Sequence, residues 1–68
     1  MENLTKATQA ALLLKNRLRN AAWLHMVELG LGEDSEYCVR VHVANFHPDQ
    51  RIIPRVLLGV RVHVGLVN

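Results

Sequence analysis

The stretch Val39-Arg40-Val41-His42-Val43 recurs letter for letter as Val60-Arg61-Val62-His63-Val64. Apolar and polar residues alternate strictly in both copies. Successive side chains on a strand point to opposite faces, so each copy reads as a half-buried strand. The valines, Val39, Val41, Val43, Val60, Val62 and Val64, turn toward a core. The two Arg-x-His pairs turn toward solvent or a partner. This pentapeptide is too short to mark a duplicated domain; two strands meeting the same demand explain it.

Working backward, residues 23–31 continue the extended pattern. Leu4 to Ala22 is helical: at about 100° per residue, Leu4, Ala7, Ala11, Leu14, Leu18 and Ala22 gather on one face, with Thr5, Gln9, Asn16 and Asn20 opposite. Lys15, Arg17 and Arg19 crowd the last turns, where positive charge suits the helix dipole. Leu12 and Leu13 fall on the flank and polar side, as ordinary exposed leucines or as contacts with a second subunit. Extending this helix to Leu29 would put Trp23, Leu24 and Val27 on the polar side. Read as a strand, Trp23, His25, Val27, Leu29 and Leu31 share one face, so 23–31 is expected as the first strand.

The polar segment Gly32-Glu33-Asp34-Ser35-Glu36 then reads as a hairpin connection into a second strand, Tyr37 to Ala44. Asn45 to Gln50 reads as loop. Pro54 suits the first position of a short helical turn ended by Gly59, before a third strand, Val60 to Val67. The matching strands are separated by the 16 residues from Ala44 to Gly59, enough for a crossover, so the second and third strands are expected to run parallel. The order second-first-third, with the first strand central, follows naturally, although first-second-third fits the same alternation. The fold expected is α+β: an N-terminal helix packed on a three-stranded mixed sheet, in one small domain covering 1–68.

Composition bounds what such a domain does. A chain of 68 residues buries only about 60% of its unfolded surface. Half of its residues are apolar, yet the aromatics are only Trp23, Tyr37 and Phe46. Part of that apolar surface is therefore expected to be covered by another chain, a common route to stability for small domains. The net charge of +2 tolerates an anionic partner without demanding one. Cys38 is the only cysteine, which fits a reducing compartment such as the cytoplasm. The start, MENLTKATQ, lacks the basic and apolar regions of a signal peptide, and no apolar run is long enough to span a membrane.

Candidate chemistry is sparse. His25, His42, His47, His63 and Cys38 are the ligand types on offer, but no close-spaced pair of zinc ligands occurs. Cys38 and His42 lie on one strand face about 13 Å apart, too far to share a metal. His42 and His63 approach only if their strands are neighbours in register, and two histidines do not complete a zinc site. Cys38 carries no nucleophile signature and reads as a small apolar filler. Gly30-Leu31-Gly32 is not a phosphate loop, being followed by an acidic turn, and its glycines suit a bend or bulge. No enzyme activity, metal or other cofactor is expected.

Two binding readings remain. Arg40, His42, Arg61 and His63 make a basic stripe if both strands expose the same sheet face. Such a stripe can hold phosphates without reading bases, although no aromatic between these residues offers a stacking platform. A solvated polar face is the simpler account of it. Edge strands also present unpaired backbone groups to other chains. Arg40 and Arg61 would protect such an edge or meet the acidic turn 33–36 of a second copy.

From Val27 to Val67 the chain resembles small uncharacterised bacterial α+β segments, some found next to trypsin-like peptidase domains. The matching pieces are Val27-Glu28-Leu29-Gly30-Leu31-Gly32, Tyr37 to Val43, Ile53-Pro54 and Gly59-Val60-Arg61-Val62. The resemblance spans about two-thirds of the chain, implies an accessory or interaction role and brings no catalytic residues. The sequence therefore points to a non-enzymatic protein-interaction or self-assembling module, contacting a homo-oligomeric or other protein partner through Arg40, His42, Arg61 and His63 or through a sheet edge. A sequence-independent nucleic-acid binder using the same stripe is the alternative.

Overall fold

A computed structural model describes residues 3–67; Met1, Glu2 and Asn68, and with them the ends of the expected 1–68 domain and the start of MENLTKATQ, lie outside the described residues. One helix, α1 (Leu4–Leu18), packs on a four-stranded sheet of β1 (Leu24–Leu31), β2 (Tyr37–Val43), β3 (Val56–Leu57) and β4 (Val60–Leu66). The architecture is the expected α+β arrangement, with one strand more.

The helix ends at Leu18, four residues short of the expected Ala22. Fifteen residues make about 22 Å of helix, close to the length of the seven- and eight-residue strands beneath it. A longer helix would overrun the sheet and carry Trp23 away from the core, where it is buried. Ala7, Ala10, Ala11, Leu14 and Leu18 face inward. Leu4 and Ala22, expected with them, are exposed. The three alanines let the helix backbone approach Val27, Val39, Val41, Val43, Val60 and Val62 closely.

β1 is an edge strand, not the central one. The sheet order is β1-β2-β4-β3, so the expected second-first-third order is corrected. Burial explains the change. β2 buries Val39, Val41 and Val43 on the helix side and Cys38 on the other, whereas Val27 is the one buried residue of β1. A register irregularity between Leu24 and Met26 breaks the alternation. His25 is consequently exposed and does not share the inward face of Trp23 and Val27. The bulge thus falls at the start of β1, and not at the glycines near its end.

β2 and β4 run parallel, as the crossover length implied. The connection differs from expectation. Its helical turn is a 3-10 segment, Pro48–Ile52, and does not begin at Pro54. Pro48 takes the favoured first position, and the His47 ring Nδ1 accepts the Asp49 amide at 3.1 Å. Ile53 then enters the core. Residues 56–57, expected to be helical, form β3 and pair with β4 through the two-residue turn Leu58-Gly59. Both turn residues have positive φ, 55° and 76°, as in the type I′ hairpins whose twist matches that of sheets.

The helix is about 10 Å wide, while four strands at about 4.8 Å spacing are wider. It covers mainly β1 and β2, and β4 less. Val64, expected in the core, is accordingly 40% exposed, and Leu66 beyond it is exposed too.

Candidate interaction surface on the open sheet face

The two pentapeptides lie side by side but two residues out of step. Val39 pairs with Val62, Arg40 with His63, Val41 with Val64 and His42 with Gly65. Cross-strand partners share a face, so Arg40, His42, Arg61 and His63 all project from the side opposite the helix. The stripe anticipated in the sequence exists as a geometric feature. It is a diagonal, because Arg40 stands beside His63 and not beside Arg61.

Its four members differ in what they touch. The Nε2 of His42 lies 2.8 Å from Oε1 of Glu28, and the ring is only half exposed. Glu28 sits on the neighbouring β1 directly opposite Arg40, two residues along from Met26, the partner of His42. This histidine is therefore held within the sheet. Arg40, Arg61 and His63 are exposed and have no ion-pair or hydrogen-bond partner among the described residues. The Arg40 side chain leans over Gly30. A Cβ built there would stand 2.5 Å from its Nε, so the absence of a side chain at Gly30 is what opens the path.

At one end of this face, a cleft separates the β1–β2 turn from the β3–β4 turn. Lys6, Arg40 and Arg61 contribute cations to it and His63 an imidazole; Glu33 and Asp34 contribute carboxylates. The turn itself is internally tied: Asp34 Oδ1 accepts the Glu36 amide at 3.1 Å, and Gly32 N–H donates to the Glu36 carbonyl at 2.9 Å. Mixed sign makes this end self-complementary in charge.

The residue types that suggested metal or thiol chemistry are not brought together. The two-residue offset separates His42 from His63 along the strands. No group of three His, Cys, Asp or Glu side chains converges among the described residues. Cys38 is buried, and no hydrogen bond joins it to a histidine among the described residues.

Glu28 and Asn3 are not singled out by the sequence, and Gly30 reads there only as a bend or bulge glycine. Glu28 holds His42, and its place in the alternation of β1 was the available signal. Gly30 receives Arg40, a role that a strand glycine signals only generally. Asn3 has no sequence signal at all. Its side chain accepts the Tyr37 amide at 2.7 Å and donates to the Tyr37 carbonyl at 3.0 Å, fastening the start of the helix to the start of β2.

The chain matches no protein-family model, no curated protein and no solved structure.

Proposed function

We propose that this chain is a non-enzymatic module that joins copies of itself, or another protein, through its open Arg/His sheet face and the edge beside it. The observation carrying this reading is the trio of Arg40, Arg61 and His63, exposed on one face with no side-chain partner among the described residues. Twelve large apolar residues exposed among the described ones add to it. A single helix on four strands leaves more apolar surface than it can cover, and association is the usual remedy. No helix among the described residues is long and apolar enough to cross a membrane, so that surface has no helical membrane span to account for it.

Sedimentation of the full chain from 1 to 300 µM tests this reading. A concentration-dependent dimer or larger species is expected. A monomer throughout the range would overturn self-assembly.

The common face of Arg40, Arg61 and His63 also favours a second reading, a sequence-independent nucleic-acid binder. Fluorescence anisotropy with a short labelled DNA or RNA at low and moderate salt separates the two. Binding that weakens steeply as salt rises supports phosphate contacts; absence of binding at low salt overturns them.

A further inference from the structure

β1 is the long free edge of the sheet. The other edge, β3, has two residues and is protected by its shortness. β1 has eight, with neither proline nor lysine among them, and it exposes Met26, Leu29 and Leu31. Natural sheets usually blunt such an edge with charge, proline or a covering loop. Its one disruption, the irregularity between Leu24 and Met26, lies at one end and leaves 27–31 as a regular segment.

We propose that this segment pairs antiparallel with the same segment of a second copy, about a two-fold axis at Leu29, joining two sheets into one. The inference rests on the self-assembly reading above and names the surface that would carry it. Two-fold pairing of a strand with itself requires one residue to face its own copy. Centring at Val27 would run the pairing into the bulge. Centring at Glu28 would place like charges directly opposite, which is unfavourable. Centring at Leu29 uses the whole regular segment: Leu29 faces Leu29, Val27 faces Leu31, and Glu28 faces Gly30.

That last pairing fits the charges on the page. The Arg40 side chain lies over Gly30 with no carboxylate partner among the described residues; Glu28 of its own chain, directly opposite it, turns to His42 instead. Glu28 of the second copy would enter at that position and meet the guanidinium. Its Oε1 already holds His42, and its other oxygen is available to accept from Arg40. Symmetry makes the contact twice. On the helix side, Leu29 and Leu31, 37% and 58% exposed, would be covered.

Charges placed at Leu29 test the register, because each would face its own copy. L29K and L29E should each fold, as circular dichroism would report. Each alone should weaken dimerisation by at least about tenfold, and a one-to-one mixture should restore it. A wild-type monomer overturns this inference together with self-assembly. A dimer indifferent to L29K and L29E overturns the edge and leaves self-assembly standing. Folded monomeric variants that fail to recombine overturn the register. Should either variant not fold, hydrogen exchange on the wild type decides: amides within 27–31 should gain protection between 5 and 300 µM, and unchanged protection in a dimer overturns the inference.

Discussion

Replacing Asn3 with alanine tests how a fold this small holds its first helix. The Asn3 amide makes two hydrogen bonds to the backbone of Tyr37, 34 residues away, at 2.7 and 3.0 Å. It behaves like one more residue of a neighbouring strand. Each bond contributes about 0.5–1.5 kcal/mol net, and the site is partly buried, so N3A should cost about 1–2 kcal/mol. A chain of 68 residues has roughly 3–10 kcal/mol in all, so the loss is large in proportion. It corresponds to a fall in Tm of roughly 5–15 °C. Urea unfolding at fixed protein concentration should show a lower midpoint with an unchanged slope. Asn3 is also the residue before the helix, where a polar side chain usually caps, yet it makes no capping bond. N3S separates the two roles. Serine caps well but cannot span both Tyr37 groups, so N3S should remain below wild type and exceed N3A by no more than a cap's contribution, about 0.5–1 kcal/mol. Wild-type stability in N3S, or a loss below about 0.3 kcal/mol in N3A, would refute the clasp.

Other substitutions probe the remaining elements by the same unfolding measurement. Leu58 occupies the left-handed region at φ 55° in the β3–β4 turn, where asparagine is favoured, so L58N should stabilise by about 0.5–1 kcal/mol; destabilisation would contradict the turn assignment. Val43 and Val64 are both the fifth residue of the repeated pentapeptide, but their exposures are 0% and 40%. V43A should cost about 2–3 kcal/mol and V64A less than half of that; equal costs would show that the helix covers both. G30A should change stability by no more than about 0.5 kcal/mol, since the group it displaces is the mobile end of Arg40; a loss above about 1 kcal/mol would mean that Arg40 is fixed in place.

Much of the fold is legible in the residues. Strict alternation marks β2 and β4, and the wheel position of Trp23 correctly separates helix from first strand. The length between the valine strands implies their parallel pairing. What escapes is set by packing across the chain. The hairpin of β3 and β4 is hidden because Leu58-Gly59 lacks the Asn-Gly signature, while Leu57-Leu58-Gly59 after Pro54 imitates a helix end. The central place of β2 goes with its four buried residues against one in β1, and alternation does not rank one strand's burial above another's. The end of α1 is set by the sheet length beneath it, which no local pattern encodes.

The surface is legible to a similar depth. Alternation alone puts Arg40, His42, Arg61 and His63 on one face once the strands are parallel neighbours. Their individual roles come from register, which the letters do not contain. An in-register pairing would have set Arg40 beside Arg61 and His42 beside His63, concentrating like charge across the strand pair. The two-residue offset sets Arg40 beside His63 and His42 beside Gly65 instead. The helix lies over β1 and β2 more than over β4, which is why Val43 is sealed and Val64, level with the buried Val41, is not. Two identical pentapeptides thus end in different environments. His42 lies near the β1 edge and is held by Glu28. His63 lies farther in with no side-chain partner among the described residues, and Arg40 beside it reaches back over Gly30 to the edge strand. The chemistry of the face is accordingly graded across the sheet, and its edge-directed member, Arg40, is the residue best placed to reach a partner that joins at β1.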